Sequence, residues 1–420
     1  MEQNRTIRGR VVITGLGAIT PLGASLEQYW DGLKNGRSGI RRITQFDASQ
    51  MPCQIAGEVP DFKPEDYIDR KEARRMARST QMAVAAAIDA VRDAGLPDKM
   101  PDPERAGVLY GTVVGGVDRL EEGVDTLHTH GPGRVNPFML PSGIPNIPSF
   151  TIALQFQCLG PNSTISTACA TGTQALGEAA ELIWRGDADI VISGGVEGIM
   201  KDWAIAGFCA MRALPVNYND APERASRPFD VSREGFVFSE GSGAFVLESL
   251  EHAQARGAKI YCEVLGHASS SDAYHIAAPD PSGSGAALAM RKALRNAGIE
   301  PQAVDYINAH GSSTPINDVT ETKAIKAVFG EHAYKLAVSS TKSMIGHPMG
   351  AAGALEAIAC IKALETGWLP PTINHEQPDP ECDLDYVPNV ARKADPQITL
   401  SNSFGLGGQN ACVILKKFSA

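Results

Sequence analysis

The stretch STISTACATGTQALGEAAELIWRGDADIVISGG, residues 163–195, decides the fold of this chain. Its β-branched start predicts a strand over Thr164–Thr167, and its small residues predict a helix over Gly172–Arg185. A second apolar run predicts a strand over Asp189–Ser193. Strand, helix and strand in this order are typical of α/β proteins with parallel sheets. Cys169 lies at the junction between the first strand and the helix.

The same alternation extends over the 420-residue chain. The other predicted strands are Val11–Thr14, Ala106–Tyr110, Gly243–Glu248, Ile260–Leu265, Val304–Ala309, Lys335–Ser339, Ile398–Ser401 and Ala411–Leu415. The other predicted helices, all rich in alanine, are Gln81–Ala94, Gly285–Ala297 and Gly350–Glu365. The pattern predicts an α/β fold.

The second half of the chain echoes the first. The stretch VSSTKSMIGHPMGAAGALEAIACIKALETG, which begins at Val338, repeats a strand, a polar turn and a helix of small residues. This weak similarity indicates an internal duplication. A duplicated α/β unit would bring equivalent loops of both halves to one shared cleft.

Composition and charge exclude several classes of protein. A chain with 43% apolar and 20% charged residues is typical of a soluble globular enzyme. The formal net charge of -10 argues against general nucleic-acid binding, which needs clustered lysine and arginine. No apolar run approaches the roughly 20 residues that a bilayer requires, so we expect no membrane insertion. Residues 1–17 contain no apolar leader run.

The eight cysteines are scattered along the chain. None forms a C-x-x-C pair, and none combines with histidine at a spacing that zinc sites use. Scattered cysteines in a long chain are typical of reduced thiols. We therefore expect a cytoplasmic protein without a bound metal.

Two short motifs point elsewhere. Gly15-x-Gly17 follows a strand, as in a dinucleotide-binding loop. Thr20 stands at the third glycine position and Pro21 would disrupt the helix that must follow, so we expect a tight turn instead. Ser339 to Lys342 matches the S-x-x-K motif of serine hydrolases, but neither S-D-N nor K-T-G follows at a suitable place. A serine hydrolase is the weaker rival.

Cys169 is the candidate nucleophile. The N–H groups at a helix N-terminus favour a thiolate and lower the pKa of a thiol placed there. The same N–H groups can hold the oxyanion that forms when a thioester is attacked. The alternative is a buried cysteine that acts as a small apolar side chain, which is what we expect of the other seven.

Two histidines lie in unusual turns of the second half. His310 directly follows the strand VDYINA and precedes Gly311, which permits a sharp turn. His347 lies between Gly346 and Pro348, just before a helix of small residues. Either histidine alone could be a structural hydrogen-bonding residue. Together with a cysteine in the equivalent turn of the first half, they indicate a catalytic site.

One cysteine and two histidines suit a decarboxylating Claisen condensation. Two neutral imidazoles can donate hydrogen bonds to a thioester carbonyl and so stabilise the enolate that remains after CO₂ departs. The carbanion then attacks an acyl group held on the cysteine. Lys342 could set the local electrostatics and Glu356 could hold it. The alternative is that Lys342 and Glu356 form a solvated surface pair.

Several long motifs in the chain resemble one family. The stretches TACATG, NAHGSSTPIND, VSSTKSMIGHPMGAAG and SNSFGLGGQNA are similar to those of the β-ketoacyl-[acyl-carrier-protein] synthases, most of all the elongating synthase II type. The resemblance implies a thiolase-like, five-layered αβαβα fold of two duplicated halves and a homodimer. Residues 1–255 would form the half with the nucleophile, and residues 256–420 the half with both histidines.

The resemblance also implies a role for each matching residue. Cys169 would carry the acyl group, His310 and His347 would promote decarboxylation, and the N–H groups of Cys169 and Leu406 would form the oxyanion hole. The other matching residues are Lys342 in the active site, its acidic partner Glu356, the supporting Asp318, Glu321 and Phe404, and Val114 and Phe208 in the acyl pocket.

The chain departs from the family pattern at two positions. Leu406 stands where the family has a gating phenylalanine, and Ser312 stands where it has threonine. The leucine is smaller, so a specialised polyketide or polyene ketosynthase stays open as an alternative to fatty acid elongation. A non-catalytic subunit of the chain-length-factor kind would lack Cys169.

An acidic acyl carrier protein is the expected partner. In DRKEARRMARST, Arg70, Arg74 and Arg78 recur at helical spacing, which predicts one basic helix face. Such a face is often only solvated. The resemblance implies carrier contacts at Lys71, Arg74, Arg75, Arg134 and Arg212. Substrates would arrive on the carrier's phosphopantetheine arm, so we expect neither a nicotinamide nor a flavin cofactor.

Overall fold

The computed structural model describes residues 9–419. Its helices are α1 (Leu26–Lys34), α2 (Arg70–Ala73), α3 (Arg78–Asp93), α4 (Val117–His130), α5 (Met139–Gly143), α6 (Ile147–Phe156), α7 (Thr171–Trp184), α8 (Asp202–Ala210), α9 (Leu250–Ala255), α10 (Ser284–Ala297), α11 (Pro315–Phe329), α12 (Lys342–Ile345) and α13 (Ala352–Thr366). The expected lack of a leader run concerns residues 1–17, of which the first eight lie outside the described residues.

The strands form one large sheet and two small ones. They are β1 (Val11–Ile19), β2 (Arg41–Arg42), β3 (Ile55–Ala56), β4 (Ala106–Gly111), β5 (Asn162–Ile165), β6 (Ile190–Glu197), β7 (Gly241–Ser249), β8 (Cys262–Ser271), β9 (Tyr306–Asn308), β10 (Ala337–Ser339), β11 (Trp368–Leu369), β12 (Arg392–Lys393), β13 (Ile398–Gly405) and β14 (Gln409–Lys417). Each of the ten predicted strands overlaps a strand of the large, ten-stranded sheet, with bounds that differ by a few residues.

The order of strands in the large sheet reveals a duplication. The order is β10-β9-β13-β14-β8-β1-β7-β6-β4-β5. Counted outward from the centre, β1, β7, β6, β4 and β5 correspond to β8, β14, β13, β9 and β10, and the two sets also follow the same order along the chain. β1 and β8 join the two half-sheets through only three residue pairs.

The helices complete five layers. α7 and α13 pack against each other and against strands of both half-sheets, so they form the middle layer. α3 and α6 cover the outer face of the first half-sheet, α10 covers that of the second, and α11 packs on α10. Small residues allow the close middle layer, because a Cβ atom on Gly172 would lie 2.6 Å from the backbone nitrogen of Ala354. The predicted αβαβα arrangement is confirmed.

The Gly15-x-Gly17 motif is not the tight turn that the sequence predicted. Both glycines lie within β1, against α3. A Cβ atom on Gly15 would lie 2.0 Å from the carbonyl oxygen of Ala90, and one on Gly17 would lie 2.0 Å from that of Ala86. The glycines therefore let a helix approach a strand closely.

The single basic helix predicted around Arg74 is also wrong. α2 ends at Ala73 and α3 begins at Arg78, so the chain turns between them. Arg78 is only partly exposed and donates two hydrogen bonds of 2.7 Å to the fully buried carboxylate of Glu240. Arg78 therefore pairs with a residue that is distant in the sequence, and the three arginines do not form one helix face. Within residues 9–419, no helix is both long and apolar enough to cross a membrane.

Candidate active site

Cys169 lies in a strained turn between β5 and α7. Ala168, just before it, has a φ of 49°, a left-handed conformation that costs an alanine about 1–2 kcal/mol. The N–H of Thr167 donates to the hydroxyl of Thr171 at 2.8 Å and closes the turn. The turn places the Cys169 side chain on the wall of a cavity of about 550 Å³.

His310 lies in a second turn, directly after β9. Gly311 has a φ of 36°, and a Cβ atom there would lie 2.5 Å from the Cβ of Ser340. The buried carboxylate of Glu321 accepts the N–H of His310 at 2.8 Å and that of Gly311 at 2.7 Å. Burial raises the pKa of Glu321 to about 7, against the opposing effect of these N–H groups. Glu321 thus fixes the backbone of the turn.

His347 lies in a third turn, after α12. Its N–H donates to the carbonyl oxygen of Val237 at 2.7 Å, and Gly346 before it has a φ of 71°. The ring of Phe236 packs edge-on against the imidazole, with 5.3 Å between ring centroids. Within the described part of the chain, neither ring nitrogen of His347 has a hydrogen-bond partner. Both nitrogens are therefore available to a bound ligand.

The three turns bring their side chains to one place. The Sγ atom of Cys169, one ring nitrogen of His310 and one ring nitrogen of His347 lie within 4.8 Å of one another. The two imidazoles meet edge to face, with ring centroids 5.4 Å apart. This donor set is also one that zinc accepts, but the ammonium group of Lys342, 3.4 Å from the His310 ring, opposes a second cation.

Lys342 fixes the state of His310. Its Nζ donates to the carbonyl oxygen of His310 at 2.7 Å, pairs with Glu356, and lies 3.4 Å from the Nδ1 of His310. An ammonium group can only donate, so Nδ1 acts as an acceptor and the neutral ring carries its proton on Nε2. The side chains of Lys342 and Glu356 are 1% and 0% exposed, so they are not a solvated pair.

The S-x-x-K motif does not form a serine nucleophile with its lysine. The hydroxyl of Ser339 shares a hydrogen bond of 2.7 Å with that of Tyr306. Lys342 is instead engaged by Glu356 and His310. Ser339 and Lys342 therefore do not form the serine–lysine pair of a hydrolase.

Burial sets the protonation of the three central groups. Burial lowers the pKa of His310 well below its usual value, and Lys342 and His347 add to that effect. Burial also lowers the pKa of His347 well below its usual value, and the charge of Lys342 makes a smaller contribution in the same direction. Both imidazoles are therefore neutral near pH 7.

The thiol differs from the sequence-based expectation. Burial raises the pKa of Cys169, although the N–H groups of Leu406 and Cys169 itself and the charge of Lys342 oppose the rise. The expected thiolate at the helix N-terminus is therefore wrong, because removal from water outweighs the local dipoles. The two N–H groups nevertheless point to the sulfur, where they can meet an oxyanion on an attached acyl group.

The remaining predicted site residues lie at different distances from this centre. Phe404 packs near His310, with 5.8 Å between ring centroids, and both Phe404 and Phe208 line the cavity. Leu406 lies at the cavity mouth and is 42% exposed. Val114 does not line this cavity but packs on the same apolar cluster as Cys169.

Asp318 is buried and does not line the cavity. Its buried carboxylate accepts the N–H of Phe229 at 2.9 Å and lies 3.6 Å from the guanidinium of Arg233. Burial raises the pKa of Asp318, with Arg233 as the main opposing influence. Asp318 therefore supports the backbone around the site and does not touch the cavity.

The predicted carrier-binding residues are divided between two places. Arg212 lines the mouth of the main cavity. Arg74 and Arg75 line a separate surface cavity of about 160 Å³. Lys71, in α2, and Arg134, in the turn after α4, are exposed. These side chains are accessible to a partner, whereas Arg78 is engaged by Glu240.

Many residues that line the cavity were not predicted from the sequence, and two of them lie next to His347. Phe236 orients His347, and Met349 lines the cavity with a φ of 40°. Phe236 belongs to the continuous apolar run Phe236–Phe238, which is more typical of a buried strand than of a catalytic site. Met349 follows His347 by two residues, and this proximity in the sequence was the only indication that Met349 could line the cavity.

Comparison with known proteins relates the chain to one family. Residues 8–253 match the family described as "Beta-ketoacyl synthase, N-terminal domain", and residues 261–376 match "Beta-ketoacyl synthase, C-terminal domain". A Synechocystis protein named 3-oxoacyl-[acyl-carrier-protein] synthase 2 is 51% identical over 409 residues, which cover 97% of this chain and 98% of that protein. A Staphylococcus aureus (strain COL) protein of the same name is 48% identical over 420 residues, all of both chains.

Two solved structures are similar over nearly the whole chain. The ishigamide ketosynthase/chain length factor superposes with a TM-score of 0.91 at 40% identity, covering 98% of this chain and 100% of that one. A type II polyketide synthase acyl-carrier protein in complex with its ketosynthase bound to the hexaketide gives a TM-score of 0.90 at 35% identity, with the same coverage of both chains.

Proposed function

This chain belongs to the β-ketoacyl synthase family, and from that membership we propose that it elongates acyl chains in fatty acid synthesis. The reaction is the decarboxylative condensation of malonyl-carrier protein with an enzyme-bound acyl group. Its products are 3-oxoacyl-carrier protein, CO₂ and free carrier protein. One observation carries the proposal: the sulfur of a thiol and one nitrogen of each of two neutral imidazoles lie within 4.8 Å of one another in one cavity.

Acyl transfer comes first. The sulfur of Cys169 attacks the thioester carbon of the acyl-carrier protein, and the bond from that carbon to the carrier's sulfur breaks. The proton of the Cys169 thiol leaves with the carrier, which departs as a thiol. The N–H groups of Cys169 and Leu406 stabilise the oxyanion of the intermediate.

Decarboxylation comes second. The malonyl group of a second carrier loses CO₂, and the electron pair of the broken carbon–carbon bond moves toward the thioester oxygen. The Nε2–H of His310 and a ring N–H of His347 donate hydrogen bonds to that oxygen. Lys342 holds His310 in the tautomer that can donate.

Carbon–carbon bond formation completes the cycle. The enolate carbon attacks the acyl carbon on Cys169, and the bond from that carbon to Sγ breaks. The released thiolate takes a proton from solvent, which balances the charge lost with the malonyl carboxylate.

Product analysis tests the reaction class. We expect the protein, given malonyl-carrier and a ladder of acyl-carriers, to form 3-oxoacyl-carriers two carbons longer than each accepted primer, measured by mass. The lengths accepted separate fatty acid elongation from a specialised polyketide or polyene pathway. Free fatty acid as the main product would support hydrolysis and contradict the proposal.

The carrier protein docks, we infer, beside the mouth of the cavity. Arg212 at that mouth and the accessible Lys71, Arg74, Arg75 and Arg134 would meet the acidic surface of the carrier. A related ketosynthase has been solved in complex with its acyl-carrier protein, which supports this mode of substrate delivery. The phosphopantetheine arm would enter the cavity from this side.

Reversing the charge of Arg74 and Arg75 to glutamate should raise KM for the carrier substrates about 10-fold while kcat changes less than about 2-fold. These side chains would act on the encounter with the carrier, because they line a cavity separate from the one that contains Cys169. The matched control reverses Arg92 and Arg185, two exposed arginines, of which Arg185 follows the far end of the 14-residue α7. If the two double variants have the same KM for the carrier substrates, Arg74 and Arg75 do not contact the carrier and are merely solvated.

We also infer that the protein is a homodimer. β5 is the edge strand of the large sheet, and its outer side has no strand partner within residues 9–419. Next to it along the chain, three large apolar side chains are exposed: Phe150, Leu154 and Leu159. An open edge beside exposed apolar groups is suited to pairing with a second copy.

Leu154→Lys should therefore shift the protein from dimer to monomer in sedimentation experiments at micromolar concentration. A charge buried in an apolar interface costs several kcal/mol, roughly enough for a shift of 100-fold or more in the dissociation constant. Leu288→Lys is the control, because Leu288 is also partly exposed but lies on the outer helix α10. A dimer of unchanged stability in Leu154→Lys would place the interface elsewhere.

We also propose a division of the chain into two halves and a location in the cell. We divide the chain into residues 1–255 and 256–420, since the two family matches end at residue 253 and begin at residue 261. All eight cysteines are free thiols, which supports a reducing compartment such as the cytoplasm.

A further inference from the structure

Glu197 is a buried carboxylate that the mechanism above does not use. It lies at the end of β6 and is 0% exposed. It accepts hydrogen bonds from the N–H of Val113 at 2.9 Å, the hydroxyl of Thr112 at 3.1 Å, the N–H of Gly350 at 3.3 Å and the N–H of Val114 at 3.4 Å. No lysine, arginine or histidine of residues 9–419 forms an ion pair with it within 4.0 Å. Burial raises the pKa of Glu197 to about 7, against the opposing effect of these four donors.

The first segment held by Glu197 borders the acyl-binding region. Thr112, Val113 and Val114 follow β4 directly. Both valines pack on the apolar cluster that contains Cys169 and Phe208. An acyl chain attached to the sulfur and lying against this cluster would press on the same backbone that Glu197 binds.

The second segment held by Glu197 carries a catalytic histidine. Gly350 follows His347 by three residues, and Met349 between them lines the cavity. Because the ring of His347 has no hydrogen-bond partner within residues 9–419, its place depends on this backbone and on packing.

The segment around Val113 and the segment around Gly350 are closely packed against each other. A Cβ atom on Gly350 would lie 3.0 Å from the Oε2 of Glu197 and 3.1 Å from the nitrogen of Val113. A Cβ atom on Gly195 would lie 2.3 Å from the carbonyl oxygen of Gly350. A shift of either segment is therefore passed on to the other.

We propose that Glu197 is a positioning residue that couples the segment of Val113 and Val114, which packs on the apolar cluster around Cys169, to the turn that carries His347. This inference rests on the proposed function. An acyl chain of suitable length that lies against this cluster holds the valine segment in place, and through Glu197 it holds His347 where decarboxylation requires it. The enzyme then releases CO₂ efficiently only when a suitable acyl group is ready to accept the carbanion.

Glu197→Gln tests the coupling. Glutamine keeps the size of the side chain but turns an NH₂ group toward N–H donors. We expect kcat for condensation to fall about 10- to 100-fold, as small misplacements near a reacting centre do. We also expect the dependence of kcat on acyl-chain length to flatten, while the rate of Cys169 alkylation by iodoacetamide changes less than about 3-fold.

Two further variants keep the test decisive. Thr112→Val removes one donor with little change of shape and should give a smaller change in the same direction. Glu58→Gln is the matched control, since Glu58 is also buried and accepts two N–H groups and a hydroxyl, from Thr44 and Gln45. We expect Glu58→Gln to keep the wild-type kcat and length profile.

Three outcomes would overturn the inference. They are an unchanged kcat and length profile in both Glu197→Gln and Thr112→Val, a parallel fall of kcat and alkylation rate, and the same effect in Glu58→Gln. The proposed function fails in a different way, namely if the wild-type protein itself forms no 3-oxoacyl product, and the coupling then fails with it.

Discussion

Cys169→Ala should abolish condensation, with a loss of at least about 1000-fold in the rate of 3-oxoacyl-carrier formation. Without Sγ no acyl group can be held between the two imidazoles. The fold should survive, because alanine fits the space of a cysteine that packs among small residues and apolar side chains. Initial rates measured by product mass, together with thermal unfolding, separate loss of chemistry from loss of structure.

Covalent labelling provides the control for this prediction. We expect the acyl adduct and the iodoacetamide label of the wild-type protein to map to Cys169. Cys209→Ala, which changes a partly buried cysteine next to the same apolar cluster, should keep most of the activity. An acyl adduct that persists in Cys169→Ala, or that maps to another cysteine, would contradict the nucleophile assignment.

The second large effect concerns decarboxylation without condensation. Cys169→Gln cannot accept an acyl group but should still release CO₂ from malonyl-carrier at a measurable rate. Adding His310→Ala should lower that rate about 100- to 1000-fold, which is the usual cost of removing one oxyanion donor. The measurement is labelled CO₂ released from carboxyl-labelled malonyl-carrier.

His252→Ala in the same background tests whether the loss is specific. His252 pairs with Glu248 at the start of α9, outside the cavity, and should leave CO₂ release unchanged. His347→Ala should resemble His310→Ala, since both rings face the same sulfur. Equal CO₂ release with and without His310 would show that the histidines do not stabilise the enolate.

Local patterns predicted much of the fold. Alternating β-branched runs and alanine-rich helices located the ten strands of the large sheet and four of the helices that cover it or fill its middle. The exact bounds escaped prediction where tertiary contacts extend a strand. β1, for instance, continues through Gly15 and Gly17 because α3 packs on both glycines.

The site was predictable where backbone geometry demands a particular residue. Glycines next to His310 and His347 revealed two sharp turns, and both glycines have a positive φ. Long-range packing gave no such signal. The rise in the pKa of Cys169, the ion pair of Arg78 and the contacts of Glu197 all depend on residues far away in the chain.

The stoichiometry of CO₂ to product tests the central claim most directly, because it asks whether one thioester meets the sulfur and both imidazoles together. Wild-type protein is given an acyl-carrier and carboxyl-labelled malonyl-carrier, and labelled CO₂ is counted against 3-oxoacyl-carrier. The account predicts one CO₂ for each product molecule, with both dependent on Cys169. Acyl-carrier consumed to free acid, with no CO₂ and no new carbon–carbon bond, would contradict it.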